Sequence, residues 1–520
     1  MAKSAKPVPG VTVRMYCQGL GDCFLLSFPS KTGTRPVRVL IDCGVLQRTP
    51  AEAEKMRAVA ESLRDDTKDA KHPYGHIDLL VVTHEHWDHV AGFAHANDVF
   101  EKITFDHVWL SWAEDPNDPA AKQVKRELGK KKAHLQAALG AARTRLGARG
   151  ADAATDRMHD DLDATDGVLA FFGLSATAKP KKGEKPPAAK GRMTLGETMD
   201  WLRSKVKPGD YRAPGERRAV PGTAGVNAYV LGPPKAVAAI RKMNPTGDQG
   251  YRHLSDRVSL LGALDWLTHD EQIGSPPGPF EGRYAIPAAD AAADPFFREF
   301  YGFADDPLGD GGTAWRRIDD EWLVGGLGRL ALQLDTGVNN TSLALAFELP
   351  DGRTMIFPGD AQIGNWLSWD EVAFKDEAGK KLDVTAADLL RRAVFYKVGH
   401  HGSHNATRRK GGLEAMASGD LVAMIPTDEA FALRQKPHKW LMPFNDLNGA
   451  LRSFTGHRIL RADKGQADLD AAAEDGRKAS AGGWDVFARQ ARFATAKMVG
   501  DDGAGGTRPL YIEYTVPLER

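Results

Sequence analysis

The chain has 520 residues, and its 69 lysines and arginines balance 69 aspartates and glutamates, so the formal net charge is zero. Zero net charge excludes a uniformly basic nucleic-acid coat, and 42% hydrophobic with 27% charged residues excludes wholesale disorder. A chain of this length predicts several domains, or one domain with large insertions.

Cysteine usage and hydropathy indicate the compartment. The three cysteines, Cys17, Cys23 and Cys43, are too few for a disulfide-bonded secreted scaffold. The first ten residues lack the apolar core of a signal peptide. The longest apolar runs are far shorter than the roughly 20 residues that a membrane helix needs. We therefore expect a soluble, cytoplasmic protein that does not interact with membranes.

The first part of the chain predicts strands and helices in alternation. Apolar runs predict strands at 11–17, 23–28, 37–43, 77–83 and 107–112. Helical patterns lie on either side of the fourth of these runs, at 51–70 and 90–99. Strands that alternate with helices in this way indicate an α/β fold.

Two long segments then interrupt the strand pattern. They divide the chain into a first half of the core at 1–112, an insertion at 113–225, a core strand at 226–234, a second insertion at 235–335 and a second half of the core at 336–520. The first insertion is basic and helical, and its lysine- and proline-rich part at 176–192 predicts a mobile linker. The second insertion is expected to form a lid or a docking surface.

Four potential metal ligands lie within six residues, directly after the buried strand 77–83. They are His84, His86, Asp88 and His89. The two histidines at i and i+2 point the same way from an extended segment, and the other two begin the following turn. Imidazole and carboxylate ligands suit Zn²⁺, Mn²⁺ or iron better than Mg²⁺. The spacing therefore predicts a metal centre at the end of this strand.

Two later strand ends supply further ligand types. Asp360 follows an apolar run and a Pro-Gly turn, where a carboxylate is able to bridge two ions. His400 and His401 follow another apolar run. Because successive strand residues point to opposite faces, we expect only one of these two histidines to bind metal.

The segments around these residues resemble the metallo-β-lactamase-fold hydrolases, and among them the soluble hydrolase domain of ComEC-type DNA-uptake proteins. The matching segments are 19–28, 39–44, 83–93, 339–347, 356–361 and 398–403, with a weaker counterpart at 435–440. They cover roughly half of the chain and leave the insertions unmatched. The resemblance implies a four-layer αβ/βα sandwich with large helical and loop insertions and a dinuclear metal site between its sheets.

The resemblance also implies which residues hold two divalent ions, Zn²⁺ or Mn²⁺. The implied ligands are His84 and His86 for the first ion, Asp88, His89 and His401 for the second, and Asp360 as the bridge. Asp42 is expected to brace the histidine loop. Many members of the superfamily have a further histidine on the first ion, and no histidine here lies in a recognisable version of that motif. Water or an insertion residue remains open as its replacement.

The predicted chemistry is an in-line displacement at phosphorus. Two ions would convert a bridging water to hydroxide and stabilise the attacking and leaving oxygens, which suits a phosphodiester. Further residues with predicted roles are Asp88 at the reacting centre, Lys397 and Ser403 for phosphate binding, His400 or His438 as proton donor, and Asn339 and Asn340 for positioning a loop or the substrate. Solvent exposure of the lysine and a purely structural turn at the asparagines remain open alternatives.

The sequence therefore predicts a metal-dependent phosphodiesterase, most simply a nuclease acting on DNA or RNA. A hydrolase of a small ester, lactone, cyclic nucleotide or phosphocholine-type substrate is the alternative, because this fold supports several chemistries. A non-catalytic metal-containing binding protein is a third possibility. The insertions are expected to offer a surface to a regulatory protein partner.

Overall fold

The computed structural model describes residues 10–147, 159, 162–163, 165–174, 193–242, 245, 249–250, 286, 288–301, 321–435, 439–480, 483–500 and 508–518. The chain divides into two compact units. The first comprises Met1–Leu128, Asp166–His253 and Gln333–Arg520, and the second comprises Gly129–Thr165 and Leu254–Leu332. Both sheets and all the site residues discussed below belong to the first unit.

The first sheet has eight strands within the described residues. They are β1 (Gly10–Tyr16), β2 (Phe24–Phe28), β3 (Val37–Ile41), β4 (His76–Val82), β5 (Thr104–Ser111), β6 (Tyr211–Arg212), β14 (Ala491–Phe493) and β15 (Tyr511–Pro517). Their order in the sheet is β14-β15-β1-β2-β3-β4-β5-β6. Strands β3 to β6 run parallel, while the other neighbours are antiparallel. The carboxyl ends of β3, β4 and β5 therefore meet at one edge.

The second sheet has seven strands within the described residues. They are β7 (Arg217–Ala219), β8 (Asn227–Gly232), β9 (Ala344–Glu348), β10 (Thr354–Phe357), β11 (Ala393–Lys397), β12 (Val422–Ile425) and β13 (Ile459–Arg461). Their order is β13-β12-β11-β10-β9-β8-β7, with β10 to β13 parallel and the rest antiparallel. The carboxyl ends of β10 and β11 lie side by side.

The helices occupy the connections between these strands. The described α-helices are Glu52–Thr67, Trp87–His95, Asn97–Phe100, Pro119–Gly147, Leu195–Ser204, Val237–Ile240, Ala288–Ala293, Pro295–Tyr301, Glu321–Asn339, Ile363–Ser368, Ala386–Arg391, Glu429–Leu433, Asn445–Thr455, Gln466–Ala471, Ala473–Ala479 and Gly483–Gln490. In the described part of the chain, none of them is long and apolar enough to cross a membrane.

Each sheet has two buried faces, as strand β4 illustrates. Its Leu79 and Val81 enter an apolar cluster shared with the second sheet, whereas Leu80 and Val82 enter a cluster with the helix Glu52–Thr67. This alternation follows from the two-residue period of a strand. Burial on both sides favours apolar residues at successive positions, which explains the apolar run Leu79–Val82 at the carboxyl end of β4.

The apolar cluster between the sheets joins aromatic side chains from both. Phe24 of the first sheet meets Phe357 of the second edge to face, with ring centroids 6.0 Å apart. Phe28 meets Phe347 at 5.7 Å. The outer face of the second sheet packs on a third cluster, which includes residues of the helices Ala386–Arg391 and Asn445–Thr455. Helix–sheet packing therefore buries the outer faces, and sheet–sheet packing buries the inner ones.

The predicted α/β class is confirmed, and the five strands predicted before residue 113 correspond to β1 to β5. The insertion predicted at 113–225 differs from the structure at its end, because β6 and β7 lie there and pair into the two sheets. These strands are only two and three residues long and carry arginines, so they have no apolar period to detect. The linker predicted at 176–192 lies outside the described residues.

Candidate metal centre

The motif of His84, His86, Asp88 and His89 lies at the junction of strand β4 and the following helix. Strand β4 ends at Val82, and the helix Trp87–His95 begins directly after His86, with Asp88 and His89 in its first turn. Glycine at position 44 permits the preceding loop to lie against this turn, since a Cβ there would come within 2.3 Å of the Asp88 carbonyl carbon. The backbone thus gathers all four predicted ligands at one strand end.

Asp42 braces this loop from the end of β3. Its Oδ1 accepts the backbone N–H of Thr83 at 2.8 Å, and its Oδ2 accepts the Thr83 hydroxyl at 2.7 Å. The same Oδ2 lies 2.8 Å from Nδ1 of His89. Asp42 itself has a left-handed backbone, with φ of 56°. The carboxylate therefore fixes both the loop and the direction of the imidazole, as the sequence analysis expected.

The second sheet contributes its residues from β10 and β11. Asp360 follows β10 through Gly359, whose φ of 60° and close approach to the Thr83 side chain exclude a larger residue without strain. His400 and His401 follow β11 with φ of 44° and 55°. This left-handed pair turns the chain sharply, so that the two rings do not follow the strand alternation assumed from sequence.

The two sheets bring their ligands into direct contact. Nε2 of His89 lies 3.0 Å from Oδ2 of Asp360, and Nε2 of His401 lies 3.0 Å from Oδ2 of Asp88. Two compact groups of ligand atoms within 4.8 Å of one another join the two sheets in the described residues, His84–His89–Asp360 and Asp88–Asp360–His401, and a third group, Asp22–Asp42–His89, lies beside them in the first sheet. Asp360 belongs to both groups that join the sheets, which is the position of a bridging ligand.

His84 and His86 form a further pair of facing nitrogens. Nε2 of His84 lies 3.1 Å from Nδ1 of His86. The outer nitrogen of His84, Nδ1, contacts the hydroxyls of Thr83 and Ser342 at 3.0 and 3.2 Å. His401 is held in a similar way, since its Nδ1 lies 2.6 Å from the carbonyl oxygen of Pro426. Outer contacts of this kind orient histidines that bind metals.

Unpaired buried atoms show that these residues fit a divalent ion. Oδ1 of Asp88 is buried without a hydrogen-bond partner in the described part of the chain, and Nε2 of His89 and Oδ2 of Asp360 have only each other, 3.0 Å apart. Buried polar atoms are normally fully paired, so this group of nitrogen and oxygen atoms is able to accept a cation as a further partner. Mixed nitrogen and oxygen donors are those that Zn²⁺ and Mn²⁺ accept. We refer to His84, His86, Asp88, His89, Asp360 and His401 as the metal centre.

The charge around the metal centre also favours cations. Five buried aspartates lie in or beside it, namely Asp22, Asp42, Asp88, Asp335 and Asp360. The buried ammonium of Lys397 offsets one of them. With ions bound, five ionised aspartates, neutral imidazoles and one ammonium would sum to four negative charges, which equals the charge of two divalent cations. Burial, together with Asp88 and Asp360, raises the pKa of Asp335 to about 8.

Lys397 contacts Asp360. The sequence predicted that this lysine would bind phosphate, and the structure instead places its ammonium against protein groups. Its Nζ lies 3.0 Å from Oδ1 of Asp360, donates to the carbonyl oxygen of Gly359 at 2.8 Å and forms an ion pair with Asp22. These contacts use the three donors of a buried ammonium. Burial opposes its charge, but Asp22 and Asp360 outweigh burial and raise the pKa of Lys397. The side chain therefore stays charged and holds Asp360 in place.

His400 lies beside the metal centre and is held by Gln362. The backbone N–H of His400 donates to Oδ1 of Asp360 at 2.9 Å, and its ring Nδ1 lies 3.4 Å from Nε2 of Gln362. Oε1 of Gln362 accepts from Asn405 at 2.9 Å, and Ser403 donates to Asn405 at 3.2 Å. Ser403 is therefore connected to His400 only through Asn405 and Gln362. Burial lowers the pKa of His400 to about 3, so its ring is neutral.

The two predicted asparagines are engaged by the protein itself. Nδ2 of Asn340 donates to the carbonyl oxygens of Ile240 and Lys242 at 3.0 Å, and its Oδ1 accepts the backbone N–H of Asn365. Nδ2 of Asn339 donates to Asp335 at 3.0 Å. These contacts fit the positioning of a loop and do not require a substrate. His438, the alternative proton donor, lies outside the described residues.

Aromatic side chains cover the metal centre. A short 3₁₀ segment, Ala170–Phe172, places Phe172 perpendicular to His86 at 4.8 Å between ring centroids. Phe171 contacts His400 at 5.8 Å and stacks on Trp440 at 5.6 Å. No sequence pattern indicated this cover, because the segment lies in the predicted insertion and carries no metal-binding residue type.

Three polar residues of the site were missed as well. Asp22 pairs with Lys397, Asp335 faces His86, and Gln362 contacts His400. Asp22 lies in one of the segments that carry the family resemblance, and that was the available signal. The other two occur among many acidic and amide side chains, and only the fold brings them to the metal centre.

A second group of histidine and aspartate lies at the other end of β4. Its residues are His76, Asp78 and Asp106, which we name the Asp78 cluster. Both oxygens of Asp78 accept from the Arg35 guanidinium, at 2.7 and 2.8 Å, and Oδ2 also accepts the backbone N–H of Arg38. An arginine already occupies the position of a cation there.

The chain matches no protein-family model, no curated protein and no solved structure.

Proposed function

We propose that the protein is a metal-dependent hydrolase of the metallo-β-lactamase fold that cleaves phosphodiester bonds, most simply a nuclease similar to the hydrolase domain of ComEC-type proteins. The observation that carries this proposal is Asp360, whose carboxylate belongs to two buried ligand groups drawn from different strand ends. Vacant donor atoms and an excess of buried negative charge support a centre for two divalent ions.

The proposed four-layer αβ/βα sandwich is supported by the arrangement of apolar clusters. One cluster joins the inner faces of the two sheets, and two others join the outer faces to helices. The metal centre takes its ligands from the ends of β4, β10 and β11, so both sheets contribute. In an α/β fold, a binding site is expected at the carboxyl ends of the strands, and these ligands lie there.

The metal centre would hold two ions, Zn²⁺ or Mn²⁺. The proposed ligands are His84 and His86 for the first ion, Asp88, His89 and His401 for the second, and Asp360 for both. When bound, the ions would activate water and neutralise charge on the oxygens of a phosphodiester. Their affinity depends on Asp42, Pro426 and the hydroxyls that hold the outer imidazole nitrogens.

Two hydrogen-bond donors of the chain orient the carboxylate of Asp360, the proposed bridging ligand. Lys397 and the backbone N–H of His400 both donate to Oδ1 of Asp360, which leaves Oδ2 directed at the centre. With Nδ1 of His400 accepting from Gln362, the proton of the neutral ring resides on Nε2, which has no partner within the described residues. That N–H is placed to donate a hydrogen bond to a phosphoryl or leaving-group oxygen.

Burial of the metal centre favours a second candidate, a hydrolase of small esters, lactones or cyclic nucleotides. The ligand side chains are at most 1% exposed, and Phe171 and Phe172 cover them. A nucleic-acid strand would reach the centre only if the segment Ala170–Phe172 moved. A small substrate needs less movement, because it requires a smaller opening.

Cleavage assays with matched variants test the proposal. Labelled single- and double-stranded DNA and RNA, a cyclic nucleotide, a lactone and a chromogenic phosphodiester would be incubated with Mn²⁺ or Zn²⁺. We expect cleavage by the wild type and its loss in Asp360→Ala, with Asp78→Asn unaffected. Cleavage of small substrates alone would select the second candidate. A metal-loaded wild type that cleaves none of these substrates, or an Asp360→Ala variant with full activity, would overturn the proposal.

A further inference from the structure

His86 differs from the other histidines of the metal centre in its outer contact. His84, His89 and His401 each fix one ring nitrogen on a hydroxyl, carboxylate or carbonyl oxygen. His86 directs Nδ1 at Nε2 of His84, 3.1 Å away, which is the separation expected for two ligand atoms bound to one ion. Its Nε2 is buried and has no hydrogen-bond partner among the described residues.

Asp335 faces this nitrogen from the last turns of the helix Glu321–Asn339. Its Oδ1 lies 3.9 Å from Nε2 of His86 and is likewise buried without a partner in the described structure. Its Oδ2 accepts from Asn339 at 3.0 Å and from Gln362 at 3.5 Å. One oxygen is therefore anchored, and the other is presented to the imidazole.

We propose that Asp335 is the positioning residue of His86. In the metal-bound protein its Oδ1 would move from the present 3.9 Å into hydrogen-bond distance of Nε2–H of His86, so that Nδ1 would carry the lone pair that binds the first ion. The relation repeats that of Asp42 to His89, where the carboxylate lies on the outer nitrogen at 2.8 Å. This inference rests on the proposed function, because it requires a two-ion metal centre.

A direct ligand role for Asp335 agrees less well with the geometry. Neither compact group of ligand atoms at the metal centre includes it. Its shortest contact with His86 is to Nε2, and Nδ1 is the nitrogen that faces His84. A third ligand on the first ion would instead lie close to the inner nitrogens of both histidines.

Asp335 also connects His86 with His400. Nε2 of Gln362 donates towards Oδ2 of Asp335 and towards Nδ1 of His400, at 3.5 and 3.4 Å. Oε1 of Gln362 accepts from Asn405, which fixes the orientation of the amide. Loss of the carboxylate would therefore loosen the amide that orients His400 as well as the imidazole of His86.

Metal titration of the full-length chain tests this role. Zn²⁺ and Co²⁺ would be titrated into the metal-free wild type, Asp335→Asn and Asp78→Asn, with calorimetry for affinity and Co²⁺ absorption for ligand geometry. We expect two ions in the wild type, and in Asp335→Asn one ion weakened by about 10–100-fold while the other is retained. The Co²⁺ spectrum of the weakened site should change, and Asp78→Asn should match the wild type.

Thermal unfolding of the metal-free proteins separates positioning from a structural role. Asparagine has the size of aspartate and keeps an oxygen that is able to accept from Asn339 and Gln362, so the melting temperature of metal-free Asp335→Asn should stay close to that of the wild type. A variant that fails to fold, or that melts well below the wild type without metal, would contradict the proposal. Asp335→Glu keeps the carboxylate, so it should bind the weaker ion better than Asp335→Asn, and equal weakness in both would also contradict it.

The titration distinguishes failure of this inference from failure of the proposed function. Two ions bound to Asp335→Asn with wild-type affinity and an unchanged Co²⁺ spectrum would overturn the role of Asp335 and leave the metal centre intact. A wild type that binds neither Zn²⁺ nor Co²⁺ would overturn the proposed function, and this inference with it.

Discussion

Strand β4 carries a group of histidine and aspartate at each end, and the two groups differ in how their charges are balanced. In the Asp78 cluster, Arg35 and the backbone N–H of Arg38 satisfy both carboxylate oxygens of Asp78. In the metal centre at the other end, Oδ1 of Asp88 has no hydrogen-bond partner within the described structure, and Lys397 offsets the charge of only one of the five buried aspartates. Similar residue types thus form an ion-pair network at one end and a candidate cation site at the other.

The comparison shows that residue type alone does not identify a metal site. An arginine neutralises a carboxylate permanently and leaves it no free lone pair, whereas a vacant buried donor costs free energy until a cation binds. Nδ1 of His76 lies 2.8 Å from the Thr104 hydroxyl, and its Nε2 lies 3.1 Å from the half-exposed Asp106. The Asp78 cluster is therefore expected to stabilise the fold and not to bind metal.

The two ends of β4 should differ most in hydrolytic rate and metal content when one carboxylate is removed from the metal centre or from the Asp78 cluster. Asp88→Asn should lower the hydrolytic rate by about a thousandfold or more and reduce the metal content, because a ligand supplies several kcal/mol at the transition state. Asp78→Asn should leave both unchanged. Initial rates and metal analysis of the two purified variants check this. Equal loss in both variants would mean that the two groups do not differ as proposed.

Metal removal should affect stability through the metal centre. Ions that bind the folded chain at 100 to 1,000 times their dissociation constant stabilise it by about 3–4 kcal/mol per site. A chelator should therefore lower the melting temperature of the wild type and of Asp78→Asn, and should lower that of Asp360→Ala much less. Scanning calorimetry with and without chelator measures this. A wild-type transition that does not respond to the chelator would argue against bound ions.

A smaller effect is expected for the residue that orients His89. Asp42→Asn should weaken metal binding by about 10–100-fold, since the amide orients the imidazole less strongly than the carboxylate. Asparagine tolerates the left-handed backbone at position 42, so the fold should persist. Calorimetric titration with Zn²⁺ checks the affinity, and circular dichroism checks the fold. Unchanged affinity in a folded variant would remove Asp42 from the bracing role.

The smallest effect should be the pH-dependent stability of the Asp78 cluster. Burial raises the pKa of Asp78, but hydrogen bonds from His76, Arg35 and Arg38 outweigh burial and hold that pKa well below its usual range. A depressed carboxyl pKa stabilises the fold above the unfolded value of about 3.9, and this stability is lost as the pH falls below it. Asp78→Asn should therefore cost about 1–2 kcal/mol near neutral pH.

Denaturant unfolding of wild type and Asp78→Asn between neutral pH and about pH 2, below the unfolded pKa of the carboxyl group, measures this difference. The two free energies of unfolding should approach each other at the acidic end of the range. A difference that stays constant with pH would mean that ionisation of Asp78 does not stabilise the fold.

Several parts of the site were predictable because they are local in sequence. His84, His86, Asp88 and His89 lie within six residues, so the strand end alone brings them together. Asp360 was predictable as a ligand type at a strand end. Its exact partners were not, because Lys397 and His89 reach it only through pairing of the strands and packing of the sheets.

Other parts depended on contacts that no local pattern encodes. The roles of Asp335, Phe171 and Phe172 arise because a helix end and a short 3₁₀ segment meet the metal centre. Lys397 was predicted to bind phosphate, but it forms ion pairs with Asp22 and Asp360, because a buried ammonium has to be neutralised by nearby carboxylates.

The sequence by itself determined the α/β class, the main strands and the residue types of a metal site, because apolar period and ligand spacing act over a few residues. Only the tertiary structure decided which histidine and aspartate atoms remain vacant. That outcome depends on which charged groups the fold brings to each end of β4. Arg35 neutralises the carboxylate at one end, whereas at the other end Lys397 offsets the charge of only one of the five buried aspartates.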